Sequence, residues 1–168
     1  MTNAKPSREK RGGTMSNISP KYAAIIQSDF YRLTLDDYSP CGLVGTSPGA
    51  WQYAVDVIYR CLKVGYWNLW NEGWMKARQL RNYEDFCNKL AQFNPHKLSN
   101  EGAIYWLSPL IYSSDLGEQL VKKYDLATLE SYEAGKEYSV CKPFIDEIEK
   151  TFAENNIPWG KKLFPVQA

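Results

Sequence analysis

The spacing of apolar residues predicts that most of this chain is helical. The clearest pattern spans residues 48–64, where apolar side chains recur at the i, i+3, i+4 and i+7 positions of one helix face. Ser47 is a good N-cap, Pro48 suits the first helical position, and Gly65 follows as a natural stop. The apolar face consists of Trp51, Ala54, Val55, Ile58, Cys61 and Leu62, and the polar face of Gln52, Asp56, Tyr59, Arg60 and Lys63. We expect this helix to be the buried centre of the fold.

Four further helices are predicted where the same period follows a capping residue. They begin at Ser19-Pro20, at Asn82, at Ser113 or Ser114, and at Pro143. Residues 66–71 are rich in aromatic side chains, which favours a short strand or an extended segment. Residues 104–112 are apolar around Pro109, which indicates a kinked strand or an edge strand.

The resulting fold class is mainly α, with about five helices and a minor β component. Residues 19–168 are expected to form a single compact domain around the 48–64 helix, since a chain of 168 residues is of ordinary length for one domain. The expected core consists of Trp51, Val55, Ile58, Leu62, Phe86, Leu90, Leu120 and Phe152.

Residues 1–18 are polar and basic, contain Gly12-Gly13 and show no periodicity, so we expect a disordered tail. The segment from Arg8 to Gly13 can be encoded almost entirely by purines, as a ribosome-binding sequence is, and Met15 follows closely. Two interpretations therefore stay open: translation starts at Met15, or the segment is an ordinary flexible tail.

The chain has the composition of a water-soluble protein from a reducing compartment. No run approaches the roughly 18–20 apolar residues of a membrane span, and no apolar stretch follows the basic N-terminus as it would in a secretory signal. The four cysteines are widely spaced without a C-x-x-C motif, so structural disulfides are the less favoured alternative. We expect a cytoplasmic protein without a membrane partner.

The sequence contains no recognisable catalytic or metal-binding motif. His96 is the sole histidine and lies in a proline-flanked loop, where an ordinary solvated side chain is expected. Glu84-Asp85 and Asp146-Glu147 are adjacent on predicted helices and point in different directions, which makes them poor acid–base pairs. Asp36-Asp37 is expected to lie in a turn. The predictions are therefore no enzyme activity, no cofactor and no metal.

The stretch 66–81 interleaves aromatic and basic residues, as surfaces that bind single-stranded nucleic acid do. Helical spacing would place Trp67, Trp70 and Trp74 on one stripe, which favours a role in the core. A protein interface is a second possibility. Nucleic-acid binding is the least favoured, because the domain is not strongly basic.

Charge is distributed unevenly along the chain. Residues 115–155 contain five lysines and ten acidic residues, a net charge of −5, whereas the whole chain carries +1. An acidic stretch of this kind is usually a solvated surface. The sharper hypothesis is a docking face for a basic partner, because complementary potential raises the association rate and selects the partner.

Three segments resemble bacterial immunity proteins of polymorphic toxin systems. Ala54–Trp70 resembles their apolar helix that ends in a leucine–basic–x–glycine step before an aromatic strand. The similarity continues through the amphipathic segment Asn82–Pro95 and the aromatic segment Ala103–Leu107. The nearest group is the immunity proteins of contact-dependent growth inhibition. The resemblance implies a cytoplasmic, non-catalytic protein that binds and neutralises one cognate toxin domain; many such toxins are basic nucleases.

We therefore expect a toxin-immunity protein, with a nucleic-acid-binding or regulatory module using 66–81 as the alternative. The expected partner is the C-terminal toxin domain of the cognate toxin protein, and nucleic acid is an unlikely one. Acidic residues would form the polar rim of the interface and exposed tyrosines its anchors. The expected partner-binding residues are Asp36, Asp37, Tyr38, Glu130, Tyr132, Glu133, Glu137 and Tyr138.

Overall fold

The computed structural model describes residues 17–70, 73–129 and 138–168, and over these residues the chain forms seven α-helices and one two-stranded antiparallel sheet. The helices are α1 Pro20–Leu35, α2 Ala50–Val64, α3 Trp74–Ala77, α4 Tyr83–Gln92, α5 Asn100–Leu107, α6 Asp115–Lys123 and α7 Lys142–Glu154. The strands are β1 Trp67–Trp70 and β2 Leu110–Ser113, and 3-10 turns lie at Pro40–Leu43 and Leu126–Thr128. The mainly α class with a minor β component is confirmed, but about five helices was too few, since α3 and α5 were not predicted.

The expected disordered tail and the start at Met15 fall largely in residues 1–16, outside the described residues. At the edge of the described part, Ile18 is buried and its backbone N–H donates to Glu149 at 2.8 Å. Ser19 caps α1 as expected, accepting the backbone N–H of Tyr22 at 3.3 Å.

The central helix α2 is confirmed, and every one of the eight predicted core residues is buried. Its first helical residue is Ala50, not Pro48, and Gly49 is the N-cap at φ +85°. The start is later because Ser47 begins a turn: its carbonyl oxygen accepts the backbone N–H of Ala50 at 3.1 Å. The helix ends as predicted at Gly65, whose φ of +85° is the left-handed conformation that glycine adopts without steric cost.

One side of α2 differs from the prediction. Tyr59 is 5% exposed and Arg60 only 1%, although both were placed on the polar face. The cause is the C-terminal segment, residues 157–167, which packs across this side of the helix. Arg60 donates from Nε to the carbonyl oxygen of Ile157 at 2.9 Å and from Nη2 to Pro158 and Lys161 at 2.6 and 2.7 Å.

Gln52, about two helical turns before Arg60 on α2, also binds the C-terminal segment. Its Nε2 donates to the carbonyl oxygen of Phe164 at 3.2 Å, and its Oε1 accepts the backbone N–H of Val166 at 3.0 Å. The backbone N–H of Gln167 then donates to Ala91 of α4 at 2.9 Å. The end of the chain is thus held against α2 and α4 by hydrogen bonds of its own backbone.

Residues 104–112 are not one kinked strand. They divide into the end of α5 and the strand β2. Ser99 starts α5 by accepting the backbone N–H of Gly102 at 3.0 Å, and Pro109 prevents the helix from continuing. Trp106 is fully buried, and its Nε1 donates to the carbonyl oxygen of Phe93 at 2.6 Å.

The predicted strand at 66–71 is confirmed as β1, which pairs with β2 in the register Trp67 opposite Ser113 and Trp70 opposite Leu110. Because successive side chains of a strand point to opposite faces, the sheet has an inner and an outer face. Trp67 and Ile111 are fully buried on the inner face. The outer face carries Asn68, Trp70, Leu110 and Tyr112, which are half-buried or exposed.

A candidate docking groove around Trp70

Four of the expected partner-binding residues, Glu130, Tyr132, Glu133 and Glu137, lie outside the described residues. Tyr138 is 39% exposed and precedes Ser139, whose carbonyl oxygen accepts Nε2 of Gln27 at 2.9 Å. Tyr138 and the pair Asp36-Asp37 do not line a common concave surface in the described part of the chain.

Asp36 and Asp37 are exposed directly after α1. Asp36 is the C-cap residue of that helix, and its Oδ1 accepts the backbone N–H of Asp37 at 2.8 Å. This bond fixes the turn and leaves the Asp37 side chain in solvent. The two carboxylates therefore occupy a defined place at the end of α1.

Tyr38 is half-buried, not exposed as expected. Its backbone exchanges two hydrogen bonds with Ile111 of β2, at 2.9 and 2.8 Å. The guanidinium carbon of Arg32 lies 4.5 Å from the centre of its ring, and a Cβ at Gly42 would lie 3.2 Å from Cδ1 of the same ring. Tyr38 thus attaches the loop after α1 to the sheet, which sets the position of Asp36 and Asp37.

These attachments form an open groove of about 340 Å³, which we call the Trp70 groove. The groove is lined by the end of α1 and the two residues after it, by residues of β1 and β2, and by Glu118 of α6. Its lining residues are Leu33, Thr34, Leu35, Asp36, Asp37, Trp70, Tyr112, Ser113 and Glu118. Three elements distant in sequence therefore meet at one surface.

Trp70 is the most unusual residue of this surface. Its side chain is 57% exposed, and Leu35 on the neighbouring wall is 66% exposed. The expectation that Trp67, Trp70 and Trp74 share a core stripe assumed helical spacing. In the structure Trp67 and Trp70 lie three positions apart on a strand, so they point to opposite faces, and only Trp67 and Trp74 are buried.

Asp36, Asp37 and Glu118 line the same groove as these exposed apolar side chains and bring negative charge to it. Within the described part of the chain, none of the three carboxylates is engaged in an ion pair. Glu118 lies in the first turn of α6, which Ser114 caps by accepting the backbone N–H of Gly117 at 3.1 Å. The groove therefore combines two exposed apolar residues with a negative rim.

Three acidic residues of the stretch 115–155 are paired with lysines in the part that the structure describes. Glu147 binds Lys123 at 2.5 Å, Asp146 binds Lys142 at 2.9 Å, and Glu154 lies 3.9 Å from Lys150. The Lys123 ammonium and the Tyr124 hydroxyl also hold the pKa of Glu147 below its usual value. Among the acidic residues of 115–155 that the structure describes, Glu118 is the one that lines the groove.

The aromatic and basic stretch 66–81 offers little surface for base stacking in the part that the structure describes. Tyr66, Trp67 and Trp74 are at most 8% exposed. Arg81 is already bound to Asp85, with Nε at 2.9 Å from Oδ2. The indole of Trp70 is the one large aromatic surface of this described stretch that solvent reaches.

No further chemistry converges on the groove. His96 is exposed in its loop, and all four cysteines are free thiols. Within the described residues there is no group of three histidine, cysteine or carboxylate side chains arranged to hold a metal ion. No helix in the described ranges combines the length and apolar character needed to cross a membrane.

Comparisons of this chain with protein-family models, with characterised proteins and with solved structures give no match.

Proposed function

We propose that this chain is a non-catalytic binding protein that takes up a basic segment of a partner protein in the Trp70 groove. The observation that carries the proposal is the exposed indole of Trp70, next to exposed Leu35 and bordered by Asp36, Asp37 and Glu118. Exposed aromatic side chains in a polar rim are the usual energetic centre of a protein interface, and tryptophan is enriched among such residues.

The groove has the chemistry of a site for lysine or arginine side chains that flank an apolar contact. The carboxylates form no ion pair with described residues, so a cationic partner can supply one. Indole is also the best aromatic surface for a cation, with stabilisation of about 0.5–2 kcal/mol according to how far water is excluded. A basic partner therefore gains both ionic and cation–π contacts here.

The resemblance of Ala54–Trp70, Asn82–Pro95 and Ala103–Leu107 to immunity proteins indicates which partner this is. We infer a toxin domain, with a basic nuclease as the favoured type, bound in the cytoplasm of the cell that it would otherwise damage. An inhibitor of this kind must leave almost no free toxin, and nanomolar affinity corresponds to about −12 kcal/mol. One tryptophan anchor with a matching charged rim supplies a large part of such an interface.

The test uses the C-terminal domain of the protein encoded immediately upstream of this chain. That domain is expressed from an inducible promoter, with and without this chain, and growth is compared with that of cells carrying Trp70→Ala. We expect the unaltered chain to restore growth and to form a stable complex with the purified domain, and Trp70→Ala to restore less. A domain that is harmless, or that this chain does not bind, contradicts the proposal.

The same preparation tests the alternative of a nucleic-acid module using 66–81. Binding to arbitrary single-stranded DNA or RNA would be recognised by its steep decrease with added salt. Salt-dependent binding of nucleic acid that is abolished by Lys76→Ala and Arg78→Ala, together with no protein complex, would replace the immunity proposal.

A further inference from the structure

A second concave site lies away from the Trp70 groove and shares none of its lining residues in the described part of the chain. It is a cavity of about 520 Å³ between one face of α1, the loop 42–47 and the first turn of α2. Tyr22, Ile25, Asp29 and Arg32 lie on that face of α1 at helical spacing. Its volume falls within the roughly 300–1,000 Å³ of small-molecule sites in proteins.

The wall of the cavity is aromatic and aliphatic. Tyr22 and Tyr53 stack with their ring centres 5.0 Å apart and their planes 7° from parallel. Ile25, Leu43 and Val44 line the same cavity. A flat apolar body would therefore contact side chains that are already held in place.

One end of the cavity is polar and largely fixed. Asp29 is 2% exposed, and its Oδ2 accepts the Tyr53 hydroxyl at 2.9 Å. Its Oδ1 accepts Nη1 of Arg32 at 3.2 Å, and Nη2 of Arg32 donates to the carbonyl oxygen of Gly42 at 3.1 Å. Both carboxylate oxygens of Asp29 are thus occupied by donors from the protein.

Arg32 has unused donor capacity. A guanidinium carries five N–H groups, and described residues accept from two of them. Its side chain is 35% exposed and lines the cavity. Arg32 is therefore the charged side chain of this cavity with donors to spare, and its positive charge disfavours an ammonium group beside it.

We propose that this cavity binds a small organic carboxylate, with its carboxylate on Arg32 and its apolar body against Tyr22, Tyr53 and Val44. The planar fork of a guanidinium matches the geometry of a carboxylate, which can accept two parallel hydrogen bonds. This binding activity is separate from the docking of a partner protein and does not depend on it.

The electrostatics of Asp29 give the site a pH dependence. Burial is the main reason that the pKa of Asp29 is raised to about 7, and the Tyr53 hydroxyl and Arg32 only partly oppose it. The charged and titratable groups facing Asp29 are Arg32 on its own helix and Tyr53 and Cys61 on α2. A bound carboxylate near Arg32 favours the protonated form of Asp29, so binding takes up protons and tightens as pH falls from about 7.5 to about 6.

The experiment uses three probes with the same body and different head groups: 3-phenylpropanoate, 3-phenylpropanamide and 3-phenylpropylamine. Binding to the full chain is followed by titration calorimetry and by NMR shifts of the backbone amides of residues 42–47. We expect the carboxylate to bind at least about tenfold more tightly than the amide or the amine, a difference of ~1.4 kcal/mol. Its affinity should increase at lower pH.

Two matched variants assign the binding to Arg32. Arg32→Gln should weaken binding of 3-phenylpropanoate about tenfold or more, while Arg78→Gln, the same change at an exposed position, should leave it unaltered. Arg32→Lys keeps the charge and serves if the glutamine variant does not fold, with an intermediate loss expected. Tightest binding of the amine, equal effects of Arg32→Gln and Arg78→Gln, or no binding at millimolar probe would each overturn the proposal.

Discussion

The Nε of Arg60, on the central helix α2, donates a hydrogen bond of 2.9 Å to the carbonyl oxygen of Ile157, 97 positions further along the chain. The same guanidinium binds two more carbonyl oxygens of the C-terminal segment and lies 3.6 Å from the carboxylate of Asp56. The buried charge of Arg60 is tolerated because carbonyl oxygens and the Asp56 carboxylate accept its hydrogen bonds or pair with it. The C-terminal segment therefore packs against the core, and Arg60 is one of the side chains that attach it.

Replacing Arg60 with leucine should destabilise the fold severely. The change leaves the buried carbonyl oxygen of Ile157 and two part-buried ones without these donors and Asp56 without its ion pair, and losses of this kind cost about 3–5 kcal/mol. The free energy of unfolding in urea measures it. Lys63→Leu, one turn away and 47% exposed, is the control and should cost less than about 1 kcal/mol. Similar losses in the two variants would show that Arg60 does not hold the segment.

Gly117 allows α6 to lie directly against the start of β1. A Cβ at this position would contact the backbone oxygen of Tyr66 and come within 2.6 Å of Oγ of Ser113. Gly117→Ala should therefore cost about 1–3 kcal/mol by overpacking, although alanine is the better helix former by roughly 1 kcal/mol. Gln119→Ala, at an exposed position of the same helix, should leave stability within about 0.5 kcal/mol. A stabilising Gly117→Ala would contradict the close approach.

Stability should decrease as pH rises from about 5 to about 7.5. Burial raises the pKa of Asp29 to about 7 and that of Asp56 to about 6, against an ordinary value of 3.8. The folded protein then binds more protons than the unfolded protein in this window, so the free energy of unfolding falls with rising pH. The carboxyl groups with lowered pKa, such as Glu84 and Glu147, act only at lower pH, where they contribute the opposite slope.

Asp29→Asn tests this assignment. It removes the titrating group, so the slope between about pH 5 and about pH 7.5 should become shallower and retain only the contribution of Asp56. Chemical denaturation at a series of pH values measures the slope for both proteins. An unchanged slope would show that Asp29 does not titrate in this range.

Trp70 should be the tryptophan most accessible to a fluorescence quencher. It is 57% exposed, whereas Trp159 is half-buried and Trp51, Trp67, Trp74 and Trp106 are at most 8% exposed. Trp70→Phe should therefore remove most of the fluorescence that acrylamide quenches readily, while Trp74→Phe should remove mainly protected emission. Unaltered quenching in Trp70→Phe would mean that this indole is covered in solution.

Five of the seven described helices were predictable because their signals are local, whereas α3 and α5 were not predicted. Ser19, Asn82 and Ser114 cap their helices through hydrogen bonds to nearby backbone groups, and Gly65 ends α2. The burial of Arg60 was not predictable, since its partners are carbonyl groups of Ile157 and later residues. A basic residue on an amphipathic helix normally predicts a solvent-exposed position.

The candidate groove was predictable only in part. Asp36 and Asp37 were recognised as an exposed acidic pair, and they do line it. Trp70 was assigned to the core because its spacing was interpreted as helical instead of alternating along a strand. Glu118 joins Asp37 only through tertiary packing, which brings the start of α6 and the end of α1 to one sheet. The spacing of residues along the sequence does not show that Glu118 and Asp37 line one groove.

The central claim is that this groove binds a basic protein, and a matched pair of charge reversals tests the electrostatic part. Asp37→Lys with Glu118→Lys reverses two negative charges that line the groove. Glu101→Lys with Glu154→Lys makes the same change in net charge at exposed positions that do not line the groove. Complementary charge acts mainly on the association rate, so its effect should shrink as salt is added. Trp70→Ala removes the anchor and should act mainly on dissociation.

The most direct measurement is therefore the association and dissociation rates of the upstream-encoded C-terminal domain with these three variants and the unaltered chain, at low and high ionic strength. We expect the groove reversal to slow association at least about tenfold at low salt. Trp70→Ala should weaken binding by about 2 kcal/mol or more, roughly 30-fold. The Glu101 and Glu154 reversal should bind almost as the unaltered chain does. Equal effects of the two reversals, or unchanged binding by Trp70→Ala, would contradict docking at the Trp70 groove.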